Sequence, residues 1–110
     1  MNLEEFKRKL SSYRHEDVVI TPHAALRAEI RNISKEDIID NIVNPKRLKT
    51  FGLENEREKK YNCWFEYGKN MGQFYVIVLN GKSIVVTVIK IRTRWQKRVE
   101  NYVKKLQSRL

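Results

Sequence analysis

Two long runs of β-branched and aromatic residues lie next to each other in the second half of the chain, and they constrain the fold more than any other feature. The runs are Gln73–Leu79 and Ser83–Ile91, and they are joined through Asn80-Gly81. An Asn-Gly pair between two such runs is the strongest short-range signal for a β-hairpin. The sequence therefore predicts two central, antiparallel strands, and the rest of the chain must cover them.

Shorter segments extend this sheet. The segment Tyr61–Tyr67 alternates, which predicts a strand with four residues on one face (Tyr61, Cys63, Phe65, Tyr67) and three on the other (Asn62, Trp64, Glu66). Leu48–Phe51 is a further candidate strand, and the charged segment Gly52–Lys60 predicts a mobile loop. Gly68–Gly72 predicts a turn, and Val18–Ile20 is either an edge strand or a lead-in to the next helix.

Capping residues delimit three helices before the sheet. Asn2 and Glu5 form a capping pair for a helix from Leu3 to about Ser11. Thr21-Pro22 begins a helix that runs to about Arg31. Ser34 and Asp37 begin another over Lys35–Val43, which Asn44-Pro45 ends.

The last segment predicts an amphipathic helix. Thr93 and Gln96 are its capping pair, and its apolar residues fall within an arc of roughly 100°; they are Trp95, Val99, Tyr102, Val103, Leu106 and Leu110. The fold prediction is therefore α+β: a small antiparallel sheet of three to four strands flanked by helices, in the order α-β-α-α-β-β-β-β-α.

The positive charge of the chain is concentrated at its C-terminal end. The net charge is +10, and from Lys90 onward there are eight basic residues and one acidic residue, a net of +7. The opposite side of the last helix carries Arg94, Lys97, Arg98, Lys104, Lys105 and Arg109. A directional positive field recruits polyanions, and nucleic acid is the usual polyanion. The alternative is a basic surface with no role in nucleic-acid binding.

Length and composition narrow the remaining classes. A chain of 110 residues has room for one domain. Cys63 is the only cysteine, and no apolar stretch is long enough to span a membrane, so we expect a cytoplasmic protein. His15, His23 and Cys63 lack the short spacings of metal sites, and the four glycines form no phosphate-binding loop. We therefore expect neither metal nor cofactor.

The segment from Ile20 to Arg31 carries the most distinctive pattern. His23, Arg27 and Arg31 recur every four residues, which places them along one strip of a helix beside Leu26 and Ile30. A guanidinium suits phosphate because its planar fork donates two hydrogen bonds at once. An imidazole can act as a general base or acid. The alternative interpretation is that His23 is structural.

The same segment resembles the opening motif of domain-of-unknown-function family 4258, whose members typically begin I-T-x-H-A-x-x-R and continue with R-x-I-S-x-E-D-I. Here the motifs are Ile20-Thr21-Pro22-His23-Ala24-Ala25-Leu26-Arg27 and Arg31-Asn32-Ile33-Ser34-Lys35-Glu36-Asp37-Ile38. The resemblance covers about residues 18 to 95, while the first helix and the long basic last helix lie outside the usual motif. The family is thought to be similar in fold to RelE-like and colicin-type ribonuclease toxins, which cleave RNA without metal.

The resemblance implies a single RelE-like, RNA-binding domain, and in its stronger form a metal-independent endoribonuclease of toxin type. His23 would then be the base or acid, Arg27 and Arg31 would bind phosphate, and Lys90 would be a further catalytic candidate. The predicted RNA-contacting residues are Arg92, Arg94, Lys97, Arg98, Lys104, Lys105 and Tyr75. We expect the basic side of the last helix to lie next to the strip of His23 and Arg27 and to form one pocket with it for a ribose-phosphate chain. Two other functions stay open: a non-catalytic RNA- or ribosome-binding module, and a protein-interaction module that binds an acidic partner such as an antitoxin.

Overall fold

A computed structural model describes residues 1–68, 71–92 and 103–107 of the chain. Its helices and strands follow the predicted α+β order. The helices are α1 (Leu3–Ser11), α2 (Pro22–Ile30) and α3 (Lys35–Val43), and a 3₁₀ turn covers His15–Asp17. The strands are β1 (Val18–Ile20), β2 (Leu48–Asn55), β3 (Lys60–Glu66), β4 (Met71–Leu79) and β5 (Ser83–Arg92). Residues 103–107 are also helical and are called the C-terminal segment below.

The three helices begin where the capping residues predicted. The Asn2 side chain accepts a hydrogen bond from the backbone N–H of Glu5 at 2.8 Å, and the Glu5 carboxylate accepts one from the backbone N–H of Asn2. Thr21 and Ser34 accept the equivalent bonds at the start of α2 and α3. These bonds satisfy N–H groups that have no partner inside the helix.

The sheet has five strands in the order β1-β5-β4-β3-β2. The pairs β2–β3, β3–β4 and β4–β5 are antiparallel, whereas β1 lies parallel to β5 at one edge. Val18–Ile20 is therefore an edge strand. The loop between β4 and β5 includes Lys82 as well as Asn80-Gly81, because Leu79 pairs with Ser83. Gly81 has a φ of +94°, a backbone conformation that would be strained for any residue with a side chain.

Parts of the predicted loop Gly52–Lys60 and of the predicted turn Gly68–Gly72 are strand instead. β2 continues through Gly52 and Leu53 to Asn55, so the predicted loop Gly52–Lys60 shortens to residues 56–59. A register shift between Leu53 and Asn55 accommodates Glu54 without losing the pairing of Leu53 with Tyr61. Gly72 likewise lies inside β4 rather than in a turn, where it pairs with Glu66 and Ile91.

The three helices cover one face of the sheet. Phe6 and Leu10 of α1 and Ile38 and Ile42 of α3 are fully buried in a core that they share with alternate residues of the strands, such as Phe65 and Ile77. The opposite face holds a second, smaller cluster of Trp64, Phe74 and Val103. Both faces of β3 are therefore buried, although the alternation of its sequence predicted only that they differ in polarity.

Candidate functional site

Two of the predicted site residues lie on the outer surface of α2. The opposite side of this helix packs on the sheet through Ala24 and Ala28, which are buried. His23 and Arg27, one turn apart, are exposed. Neither side chain makes a hydrogen bond or ion pair in the described part of the chain, so both groups are available to a ligand.

Arg31 does not continue this strip as an exposed cation. The helix ends at Ile30, and Asn32 adopts a φ of +57° that lets the N–H of Ile33 donate to the carbonyl of Ala28 at 2.8 Å. Arg31, the C-cap residue, is partly buried, and its Nε is buried without a hydrogen-bond partner among the described residues. The predicted strip of one imidazole and two guanidiniums is thus two exposed groups and one that is partly enclosed.

Tyr75 is fully buried, which corrects its prediction as an RNA-contacting residue. Its hydroxyl accepts a hydrogen bond from Asn41 Nδ2 at 2.7 Å and donates one to Gln73 Oε1. Burial raises the pKa of Tyr75 well above its ordinary value. A ring enclosed between the sheet and α3 cannot stack on a base, so Tyr75 has a structural role.

Asn41 is the centre of a polar cluster that the sequence analysis missed. Besides Tyr75, its Nδ2 contacts the hydroxyl of Tyr67, whose ring carries the guanidinium of Arg47 at 4.2 Å from its centroid. The sequence does hold a signal for this cluster, because Asn41 lies on the same side of α3 as Ile38 and Ile42. A polar residue at a buried helical position requires a buried partner. The members of the cluster contact one another through these interactions, so we assign them a structural role.

The C-terminal segment places an apolar residue on the sheet and basic residues outside. Val103 is buried against Trp64 and Phe74, whereas Lys104 and Lys105 are exposed. The absence of a side chain at Gly52 allows this approach, since a Cβ there would meet Val103 Cγ1 at 3.0 Å. Gln107 Nε2 also donates to the carbonyl of Phe51 at 2.9 Å. The predicted inward apolar side and outward basic side hold for the residues described here.

The remaining predicted residues are located in part or not at all. Lys90 and Arg92 belong to β5, where their Cα atoms pair with those of Gln73 and Met71. Their side chains lie outside the described part of the structure, as do Arg94, Lys97 and Arg98 entirely.

The described residues divide the predicted site between two faces of the sheet. α2, with His23 and Arg27, packs on the same face as α1 and α3 and contacts β5. The C-terminal segment packs on the opposite face and reaches β2. The prediction that the basic last helix lies beside the His23–Arg27 strip and forms one pocket with it is therefore wrong for Lys104 and Lys105. Because the sheet separates the two groups, they form two candidate surfaces.

Comparison with known proteins identifies no relative of this chain. No protein-family model, no curated protein and no solved structure matches the chain. The resemblance to family 4258 and to RelE-like toxins stays a prediction from the two quoted motifs. Within the residues that the structure describes, no three His, Cys, Asp or Glu side chains gather as a metal site would require. No helix in those ranges is long and apolar enough to traverse a bilayer.

Proposed function

We propose that the protein binds RNA, and that the C-terminal segment contributes to the binding surface. The observation that carries this proposal is the orientation of that segment: Val103 anchors it to the sheet while Lys104 and Lys105 face outward. The chain concentrates a net charge of +7 between Lys90 and its last residue, so these two lysines belong to the most basic part of the protein. A fixed helix that presents basic residues on one side suits a phosphate backbone.

The salt dependence of the affinity distinguishes binding through phosphate contacts from binding through uncharged contacts. Each phosphate neutralised on a single strand releases counterions and contributes about 0.7 to the slope of log affinity against log salt concentration. If Lys104 and Lys105 each neutralise one phosphate, replacing both with neutral residues should reduce the magnitude of this slope by roughly 1.4.

The test is fluorescence anisotropy with a labelled single-stranded RNA of 20 nucleotides, measured between 50 and 200 mM salt. We expect Lys104→Gln/Lys105→Gln to weaken binding and flatten the slope. The matched control is Lys35→Gln/Lys46→Gln, which removes the same charge from exposed lysines elsewhere. The proposal is refuted if the wild type does not bind at 50 mM salt, or if both double variants change the slope equally.

A second candidate, endoribonuclease activity, is supported by the two unpaired groups on α2. In metal-independent cleavage the ribose 2′-oxygen attacks the adjacent phosphorus and loses its proton to a base. The bond to the leaving 5′-oxygen breaks, and that oxygen takes a proton from an acid. His23 can serve as base or acid, and Arg27, one turn away, can bind the phosphate whose charge grows in the transition state.

This candidate is tested by incubating RNA with the protein in the presence of a chelator. We expect wild type to cleave and His23→Ala and Arg27→Ala to lose at least about a hundredfold in rate, the usual contribution of such groups. His15→Ala is the matched control, since His15 is also exposed but lies in the 3₁₀ turn. Identical RNA patterns with and without wild-type protein would refute the ribonuclease activity, and this result would not affect the proposal of RNA binding.

A further inference from the structure

The outer face of α2 exposes two large aliphatic side chains next to His23 and Arg27. Leu26 is 57% exposed and Ile30 is 67% exposed, and they lie one turn apart. On a helical wheel His23 and Arg27 follow them on one side. A face that mixes exposed Leu and Ile with an imidazole and a guanidinium is unusual for a helix whose other side already packs on the sheet through small alanines.

A groove borders this face on the other side. It has a volume of about 580 Å³ and lies between α2 and the start of α3, with apolar walls that include Pro22, Ala25, Leu26 and Ile33. Its lining also includes the charged residues Glu29, Lys35 and Asp37. The surface therefore has His23 and Arg27 along one border, exposed aliphatic side chains in the middle, and a groove of mixed charge along the other border.

Two occupants fit this surface poorly. RNA can contact His23 and Arg27 through a phosphate, but its backbone forms no hydrogen bond with Leu26 and Ile30 and would leave these aliphatic side chains uncovered. A second copy of the chain would add another molecule of net charge +10 to the interface, with its own His23 and Arg27.

We propose that this face of α2 binds an amphipathic helix of a partner protein, whose apolar stripe covers Leu26 and Ile30 and is bordered by carboxylates that meet His23 and Arg27. Helices that bind in grooves place apolar anchors at i, i+3 or i+4 and i+7, and the spacing of Leu26 and Ile30 matches this periodicity. One anchor enters the groove between α2 and α3. One carboxylate on the partner pairs with the Arg27 guanidinium, and a second, four residues away, accepts a hydrogen bond from the His23 imidazole, which selects an acidic partner and sets its register.

This inference does not depend on RNA binding, because the C-terminal segment lies on the opposite face of the sheet. It also implies a consequence for the enzyme candidate. A helix bound on α2 covers His23 and Arg27, so it would compete with any substrate that these residues contact.

The test uses two synthetic helical peptides with the same leucine stripe, one flanked by glutamates and the other by lysines, and measures their affinity by anisotropy. We expect the glutamate peptide to bind at least about tenfold more tightly than the lysine peptide. Leu26→Ser/Ile30→Ser should weaken it by about tenfold or more, since two apolar contacts are lost. Arg27→Glu should narrow or invert the preference between the peptides.

Matched controls separate this surface from the rest of the protein. Met71→Ser removes an exposed apolar side chain elsewhere, and Arg57→Glu reverses a charge in the loop after β2, so both should leave peptide binding unchanged. All substituted residues are exposed, and circular dichroism checks that each variant folds. The proposal is overturned if Leu26→Ser/Ile30→Ser binds the glutamate peptide as wild type does. It is equally overturned if that variant loses RNA affinity instead, or if it converts a wild-type dimer to monomer in sedimentation.

Discussion

The contact between Gly72 and Trp64 provides a quantitative test of how the second face of the sheet is packed. Gly72 lies in β4, and the six-membered ring of Trp64 lies directly over it. A Cβ at position 72 would come within 3.0 Å of two carbons of that ring, and within 2.8 Å of the carbonyl oxygen of Phe65. No void therefore exists for even one methyl group, and Gly72→Ala must displace the indole.

The expected cost follows from this geometry. Overpacking by one carbon costs about 1–3 kcal/mol, from which the smaller unfolded-state entropy of alanine subtracts roughly 0.5–1 kcal/mol. The difference is roughly 0–2.5 kcal/mol, and three contacts under 3.0 Å favour its upper part. Trp64→Phe removes the part of the ring that clashes. We therefore expect Gly72→Ala to lower the free energy of unfolding by about 1–2 kcal/mol in the wild type and by about half that or less in Trp64→Phe. The remainder reflects the contact with the Phe65 carbonyl, which Trp64→Phe leaves in place.

The assay is urea unfolding of the four proteins of the double-mutant cycle, followed by circular dichroism because two of the four lack Trp64 and differ in fluorescence. Gly81→Ala is the matched control. It is strained by a φ of +94° but meets no atom within 4 Å, so its cost should be the same in both backgrounds within about 0.5 kcal/mol. Equal costs of Gly72→Ala in the two backgrounds, or a gain in stability, would refute the described packing of Trp64.

Two further predictions concern buried groups that titrate. Burial raises the pKa of Tyr75 above its ordinary 10.0, so the folded state retains the phenol proton while the unfolded state releases it. The stability that this group contributes is complete below about pH 10 and is lost as pH rises further. In urea titrations above that pH, Tyr75→Phe should therefore make the decrease in the free energy of unfolding less steep by about 1.4 kcal/mol per pH unit. An equally steep fall in that variant would contradict the assignment. Burial likewise raises the pKa of the Cys63 thiol, which is inaccessible. Ellman's reagent should label one thiol per chain only in denaturant, and rapid stoichiometric labelling of folded protein would be the contrary result.

Local chemistry determined the order of the described helices and strands, although not every strand boundary. The capping residues Asn2, Thr21 and Ser34 located the starts of α1, α2 and α3, because the N–H groups they satisfy lie within three residues. The β-branched runs around Asn80-Gly81 located the central hairpin for the same reason. The α+β order of elements followed from these signals alone.

Only the tertiary structure decided which residues share a surface. The four-residue spacing placed His23, Arg27 and Arg31 on one strip, but the end of α2 at Ile30 left Arg31 partly enclosed. Tyr75 and Gly72 became interior positions because α3 covers one face of β4 and Trp64 covers the other. Lys104 lies across the sheet from Arg27, because burial of Val103 and of Ala28 against opposite faces determines where each helix packs. Periodicity describes one element at a time, whereas the face on which each helix packs depends on contacts between residues far apart in the chain.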